Sequence, residues 1–170
     1  LSYSLAALRK IKKLEENFDL VFVYQLSPIL MGLPGIQYSK KYKVPLFLYC
    51  CDLWPESLKL YVKNEENVVF KIVKKLSTKI YQSADIVAYQ SSSFRPYLLK
   101  THDLDKKRLI YMPAFADESY LVTDFTPENE IVDFVFMGNL GIAQNLTAVL
   151  MAIEKIRNIP GFKVHFVGDG

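Results

Sequence analysis

The chain of 170 residues is 51% hydrophobic and 23% charged, a composition that excludes a disordered tail or a low-complexity repeat. Residues 1–116 carry 18 basic and 10 acidic side chains, whereas residues 117–170 carry 3 and 8. This asymmetry predicts two regions with different surfaces. No apolar stretch reaches the roughly 18 to 20 residues that a membrane-spanning helix needs, and the start lacks the layout of a signal peptide. We therefore expect this part of the chain to be soluble. The expected location is the cytoplasm, with a peripheral position at the inner face of the membrane as the alternative.

Strand-length apolar runs alternate with segments of helical period, which is typical of βαβ units and a parallel sheet. In the first half we expect a helix at about 3–17 and then a strand at 19–24 that is covered on both faces. A loop around Pro28, Gly32, Pro34 and Gly35 is expected next, followed by a helix that ends at Tyr42. A strand at 45–50 then leads into a polar turn at 52–57. Further strands are expected at 86–88 and 109–112, with a helix near 94–100 between them.

Residues 67–82 predict a basic amphipathic helix. Its apolar face is expected to consist of Val68, Val69, Ile72, Val73, Leu76 and Ile80, with the lysines off that face. Two interpretations remain open. The simpler one is a surface helix that packs on the sheet with its lysines in water. The other is peripheral contact with an anionic membrane surface.

Acidic residues accumulate and no period holds between Pro113 and Glu130, which predicts an interdomain linker at 114–130. A strand at 131–136, a helical stripe at 146–156 and a strand at 162–167 then indicate the opening βαβ unit of a second Rossmann-like domain, 131–170. Residues 1–113 belong to the first domain. The chain starts with Leu and stops in a glycine turn, so we expect both ends to be cut from a longer protein.

Two glycine loops follow the strands of the second domain: Gly138-Asn139-Leu140-Gly141 and Gly168-Asp169-Gly170. Glycine lets a phosphate approach the backbone, and a helix N-terminus after the first loop would offer it N–H groups. Because the carboxyl ends of parallel strands share one edge, both loops are expected in one crevice. The spacing is not GxGxxG, and glycine turns that merely fit the strand-helix corner explain it equally well.

In the first half, the loop 52–57 places Asp52, Trp54, Glu56 and Ser57 just after a strand. Carboxylates, an indole and a hydroxyl suit a polyhydroxylated ligand. The alternative is a helix start capped by Asp52 or Ser57, with Trp54 in the core. Elsewhere, the adjacent Cys50 and Cys51 fit neither a disulfide nor a metal site and predict buried, reduced thiols. The two histidines also lack ligand spacing, so no metal site is expected.

Four segments in order, Asp-Leu-Trp-Pro-Glu-Ser (52–57), Gln-Ser-Ala-Asp-Ile-Val (82–87), Phe-Met-Gly-Asn-Leu-Gly-Ile-Ala-Gln-Asn (136–145) and Phe-Val-Gly-Asp-Gly (166–170), resemble the retaining glycosyltransferases of family 4. The similarity is to the bacterial branch that builds capsule and O-antigen saccharides. It implies a GT-B fold of class α/β, with two Rossmann-like domains and parallel sheets, both incomplete here. An N-terminal acceptor domain would face a C-terminal nucleotide-sugar domain.

The resemblance also implies site residues. Those expected on the nucleotide diphosphate are Gly138, Asn139, Leu140, Gly141, Gln144, Gly168, Asp169 and Gly170. Many relatives carry Arg and Lys where this chain has Asn139 and Gln144, and the capsule branch commonly shows the Asn and Gln version. Many relatives also place a His where this chain has Cys51. Asp52 is therefore our catalytic candidate, with Trp54 and Glu56 on the substrate.

The implied reaction moves a sugar from a nucleoside diphosphate sugar, with a UDP-sugar as the expected donor, to a saccharide or lipid-linked acceptor. Anomeric configuration is retained, and the donor is a substrate rather than a permanently bound cofactor. No nucleic-acid partner is expected, and this fragment alone should not turn over. Two alternatives stay open: an inactive GT-B relative that acts as a partner or chaperone of a transferase, and a GT-B UDP-sugar epimerase.

Overall fold

A computed structural model describes residues 2–122 and 130–170 of the chain. The chain divides into two compact units, Leu1–Phe115 and Ala116–Gly170. Both units combine helices with parallel strands, so the predicted α/β class with Rossmann-like parallel sheets is confirmed. Within the described ranges, no helix has the length and apolar character needed to cross a bilayer.

Unit 1 contains a parallel four-stranded sheet whose spatial order is the order of its strands in the chain. The strands are β1 (Val21–Gln25), β2 (Leu46–Cys50), β3 (Ile86–Tyr89) and β4 (Leu109–Tyr111). The helices are α1 (Ser2–Lys12), α2 (Leu33–Tyr42), α3 (Val68–Gln82) and α4 (Phe94–His102), and short 3-10 helices cover Ile29–Gly32, Glu56–Leu60 and Lys106–Arg108. Strands β1 and β2 are in register from Val21 opposite Leu46 to Gln25 opposite Cys50.

The main core lies on one face of this sheet. Val23, Leu48 and Val87 of the strands pack there with Ile80 of α3 and Leu98 of α4. Side chains alternate between faces along a strand, and the opposite face carries Phe22 and Tyr24, which are 54% and 52% exposed. The expectation that the first strand is covered on both faces is therefore wrong for the described residues.

The predicted loop around Gly32–Gly35 is helical instead. A 3-10 turn over Ile29–Gly32 leads into α2 at Leu33, so Pro34 and Gly35 lie in the first helical turn, where proline is tolerated. Glycine at position 35 reflects close packing. A Cβ there would lie 2.5 Å from Val23 Cγ2 and 3.2 Å from Val21 Cγ1. Helix α2 thus approaches β1 closely because residue 35 has no side chain.

The apolar stripe predicted for α3 is wrong in its N-terminal half. The buried residues of this helix are Phe70, Ser77, Ile80 and Tyr81, whereas Val68, Val69 and Ile72 are 70%, 53% and 61% exposed. Aromatic rings bury more apolar area than valine does. Packing therefore selects the face that contains Phe70 and Tyr81.

Unit 2 is smaller and contains two parallel strands, β5 (Val132–Met137) and β6 (Phe162–Val167), with helix α5 (Leu146–Ile156) between them in sequence. Helix α5 coincides with the helical stripe predicted at 146–156, and a 3-10 turn (Ile142–Gln144) and Asn145 in the left-handed conformation (φ 50°) precede it. Of the predicted linker 114–130, residues 123–129 lie outside the described part. The described portion includes a 3-10 helix, Glu118–Leu121. Asp117 precedes this helix and caps it, because its side chain accepts a hydrogen bond from the Ser119 N–H.

We expect Gly35→Ala to destabilise unit 1 by about 1 to 3 kcal/mol, because the new methyl group overlaps Val23 and overpacking outweighs the helix propensity gained by alanine. Urea unfolding monitored by circular dichroism measures the change. In a double-mutant cycle with Val23→Ala, the combined loss should be smaller than the sum of the two single losses. A more stable Gly35→Ala protein would show that the helix and strand are not in tight contact.

Candidate functional site

Residues from two neighbouring strand ends meet at the carboxyl edge of the unit 1 sheet. Ser27 follows β1 and Asp52 follows β2, and the Ser27 hydroxyl donates to Asp52 Oδ2 at 2.7 Å. The indole Nε1–H of Trp54 donates to Ser27 Oγ at 3.2 Å. The structure thus links two predicted site residues, Asp52 and Trp54, through a serine that sequence reasoning missed. Its signal was its place just after a strand, at the edge where α/β proteins bind ligands.

Buried side chains hold the backbone of the Asp52 loop by hydrogen bonds from the interior of unit 1. Gln25 is 0% exposed, and its amide donates to the carbonyl of Asp52 at 3.1 Å. The Tyr81 hydroxyl accepts from the Trp54 N–H at 3.2 Å and lies 3.2 Å from the Asp52 carbonyl oxygen. His102 Nε2 lies 2.8 Å from the carbonyl of Trp54. Three side chains distant in sequence therefore hold the backbone of Asp52 and Trp54.

His102 supports the loop as a neutral imidazole. Burial lowers its pKa to about 4. A carbonyl oxygen can only accept, so Nε2 carries the proton that is donated to Trp54. Nδ1 then accepts from the Thr78 hydroxyl, which lies 2.8 Å away. Both ring nitrogens are therefore engaged, and the Gln82 amide donates to the backbone carbonyl of His102 at 3.0 Å.

The loop geometry also bears on the capping alternative. The 3-10 helix Glu56–Leu60 starts after Pro55 without a side-chain cap, so Asp52 does not cap it. The Ser57 hydroxyl donates to the Leu53 carbonyl at 2.8 Å instead. Trp54 is partly buried and packs against the core. The indole is thus anchored on the core, while Asp52 is only partly buried and its bond to Ser27 is exposed to solvent.

Glu56 is oriented away from this hydrogen-bonded group. Its carboxylate pairs with Lys59 at 2.7 Å, and Lys59 also pairs with Glu65 at 2.7 Å. A pocket beside them is lined in part by Pro55, Tyr97 and Lys100. Within the described ranges no hydrogen bond joins Glu56 to Ser27, Asp52 or Trp54, so the structure does not bring all three predicted residues of this loop together.

The two cysteines are free and buried, as predicted. Burial raises the pKa of the Cys50 thiol to about 12 and also raises the pKa of Cys51. Both thiols are therefore protonated near neutral pH, and a protonated thiol is a poor nucleophile. The Gln90 amide donates to the Cys51 carbonyl at 2.8 Å, so this position contributes backbone order beside Asp52.

In unit 2 the two predicted glycine loops are joined by backbone hydrogen bonds. The Gly138 N–H donates to the Val167 carbonyl at 2.9 Å, and the Leu140 N–H donates to the Asp169 carbonyl at 2.8 Å. A Cβ at position 168 would lie 1.8 Å from the Gly138 carbonyl oxygen. Only glycine permits this approach, and its φ of +154° is one that other residues rarely adopt. The structure thus brings both glycine loops to one edge.

The joined loops leave hydrogen-bond donors available. Among the described residues, the backbone N–H groups of Asn139 and Gly141 donate to no protein acceptor. A shallow pocket beside Leu140 and Gly141 reaches Leu146 at the start of α5. Free backbone N–H groups together with the positive end of a helix dipole suit an anion such as a phosphate.

No family model matches the chain. The chain is similar to the probable glycosyltransferase WbjE of Pseudomonas aeruginosa, with 24% identity over 152 residues that cover 84% of this chain. The chain spans 37% of the length of that relative. The resemblance to glycosyltransferases thus rests on this distant relative as well as on the motifs.

Protonation of His102 should make stability depend on pH. The unfolded imidazole has a pKa near 6.5, above the folded value of about 4, so the unfolded chain binds the proton first as the pH falls. The contribution of the neutral ring, complete above pH 6.5, is therefore lost progressively between about pH 6.5 and pH 4. From pH 7 to pH 5 we expect about 1 to 2 kcal/mol of lost stability from this residue.

Urea unfolding at the two pH values measures this change, with His102→Asn as the comparison. The variant should be less stable at pH 7 but should lose less stability on acidification than the wild type. NMR titration of the ring resonances gives a direct reading. Titration of His102 near pH 6.5 in the folded protein would contradict a buried neutral ring.

Proposed function

We propose that this chain is part of a glycosyltransferase that moves a sugar from a nucleoside diphosphate sugar to a saccharide or lipid-linked acceptor. The joined glycine loops at the ends of β5 and β6 carry the proposal, in a chain similar to a probable glycosyltransferase. A backbone cradle with free N–H groups suits a diphosphate, the leaving group of such a donor. A UDP-sugar is the proposed donor and polysaccharide biosynthesis the proposed pathway.

The proposed enzyme class is the retaining family 4 with a GT-B fold. Residues 1–113 would belong to the acceptor domain, 114–130 to the linker and 131–170 to the start of the nucleotide-sugar domain. This assignment follows the order of the four motifs in the sequence. A cytoplasmic location is proposed with it, since nucleotide sugars are the donors.

The donor role falls on backbone more than on side chains. Gly138, Gly141, Gly168 and Gly170 keep the loops close and open to the phosphates. The described loop carries no Lys or Arg from 138 to 145, so diphosphate charge would be balanced by N–H groups and the dipole of α5. Side chains proposed to add hydrogen bonds are those of Asn139, Gln144 and Asp169, with Leu140 beside them.

The acceptor role falls on the loop after β2. Asp52 is the proposed catalytic residue, because its carboxylate is accessible and is oriented by the Ser27 hydroxyl. It would contact the acceptor hydroxyl or the transferred sugar. Trp54 offers an indole fixed by the same serine, and an aromatic face suits the apolar face of a sugar ring. Glu56 would contribute only at the outer end of the loop, since it pairs with Lys59.

Gly141→Val tests the donor site. A Cβ here would meet only the ends of the Asn139 and Gln144 side chains, at 3.2 to 3.4 Å, so the fold should tolerate it. The branched side chain would cover the free N–H groups, and we expect UDP affinity to fall at least tenfold, that is by about 1.4 kcal/mol. Isothermal titration calorimetry on the whole protein measures it.

Gly161→Ala is the matched control for that titration. Position 161 has a positive φ, +86°, so alanine costs some stability there, but a Cβ would have nothing within 4 Å. The Gly161 carbonyl bonds the Val132 N–H at the start of β5, at the opposite end of the strands from the glycine loops. Its UDP affinity should equal that of the wild type. Unchanged affinity in a folded Gly141→Val protein would remove this loop from the donor site.

Asp52→Asn tests the catalytic role in the whole protein. The change removes the charge and keeps the size, so a direct role predicts a fall in kcat of roughly a hundredfold or more with little change in melting temperature. Asp103→Asn serves as the control, because it removes a carboxylate from the left-handed position after α4, which asparagine accepts. Full turnover in folded Asp52→Asn protein would end the catalytic assignment of Asp52.

UDP binding without sugar transfer in the wild-type protein would favour the alternative function, a partner or chaperone of a transferase.

A further inference from the structure

The outer face of helix α3 combines apolar and basic side chains. The helix, Val68–Gln82, contains Lys71, Lys74, Lys75 and Lys79 and no acidic residue. Its inner face is fixed on the core through Phe70, Ser77, Ile80 and Tyr81. What remains outside is therefore a strongly basic surface held in one orientation by the fold.

The N-terminal end of this outer face is apolar. Val68 and Ile72, one turn apart, are 70% and 61% exposed, and Val69 beside them is 53% exposed. The segment before the helix also exposes Leu60 and Tyr61, at 53% and 83%. Large apolar side chains exposed together mark an interaction surface more often than chance exposure does.

Lysines continue the same face toward the C-terminus. At 100° per residue, Lys75 and Lys79 lie on the side of the helix that carries Val68 and Ile72, opposite the buried residues. Lys71 pairs with Glu66. Lys75 and Lys79 have no ion pair within the described ranges. Two unpaired ammonium groups thus stand one turn apart beside an apolar patch.

We propose that this face of α3 binds the anionic surface of a lipid bilayer. Val68, Val69 and Ile72 enter the headgroup region, and Lys75 and Lys79 contact lipid phosphates. The proposal follows from charge complementarity, since a helix with four cations and no anion attracts a negatively charged surface. Apolar side chains at the interface add the burial that a soluble anion does not supply. This inference does not depend on the proposed sugar transfer.

The geometry suits attachment parallel to the membrane. Because the opposite face is fixed in the core, the 15-residue helix lies along the interface over about 22 Å. An interfacial helix of this kind needs a polar face rich in lysine and an apolar part of limited area. Here the two parts follow one another along the helix, so the N-terminal end penetrates more deeply than the C-terminal end.

Vesicle sedimentation of the whole chain tests the proposal without any substrate. The protein should bind vesicles of about 70% phosphatidylcholine and 30% phosphatidylglycerol and bind poorly to phosphatidylcholine alone. Binding should weaken in about 0.5 M NaCl, because salt screens exposed charges. K75E/K79E should weaken binding about thirtyfold or more, because each lysine near an anionic surface contributes to the free energy of binding and the variant loses two of them. V68S/I72S should weaken it about tenfold through lost apolar burial.

Two matched variants separate this face from general charge and stickiness. K106E/K107E makes the same charge change in the exposed 3-10 helix Lys106–Arg108, and L150S/M151S removes apolar side chains that are 54% and 62% exposed on α5. Both should bind vesicles nearly as well as the wild type. All variants are checked by circular dichroism, and the changed positions are exposed, so folding should persist.

Several outcomes would overturn the proposal. Wild-type protein that ignores anionic vesicles, or K106E/K107E that loses as much binding as K75E/K79E, would do so. Wild-type affinity in V68S/I72S would point instead to phosphate binding without insertion, and displacement of the vesicles by inorganic phosphate at constant ionic strength would support that reading. Equal binding to phosphatidylcholine alone would mean that the lysines do not recognise lipid charge.

Discussion

The candidate site of unit 1 depends on hydrogen bonds made below the surface. Gln25, Tyr81 and His102 come from a strand and two helices, and each contacts the backbone of Asp52 or Trp54. Burying polar groups costs free energy unless they are paired, and here the buried side chains pair with the backbone of the loop. The same bonds therefore satisfy the core and shape the loop. The positions of the Asp52 and Trp54 side chains therefore depend on these three buried side chains.

The two strand-end sites achieve order by opposite means. The Asp52 loop is supported by large side chains, whereas the loops after β5 and β6 are joined backbone to backbone because glycine leaves room at position 168. Side-chain support suits a site that presents a carboxylate and an indole. Backbone support leaves N–H groups exposed, which suits an anionic ligand. The difference in construction agrees with the acceptor and donor roles that we propose.

Helix α3 connects the buried layer with the outer surface. Its inner face supplies Tyr81 to the Asp52 loop, and its C-terminal half supplies Thr78 to His102. The outer face carries the exposed valines, isoleucine and lysines. Because one rigid helix carries both sets, a bilayer bound to the outer face would lie at a fixed orientation to the Asp52 loop. A lipid-linked acceptor would then approach from a defined side.

Periodicity and turn residues in the sequence determined the α/β class, the positions of the strands along the chain and the two glycine loops, because these follow from local pattern and backbone conformation. Pattern alone predicted the wrong buried face for α3 and a loop at Gly35. Both Val68 and Phe70 are apolar, and only tertiary packing decides that Phe70 is the buried one. Ser27, Gln25 and His102 were missed because their role arises from contacts between residues 25 to 48 positions apart. Only the tertiary structure brings such residues together, since hydrogen-bond partners at that separation leave no local signal in the chain.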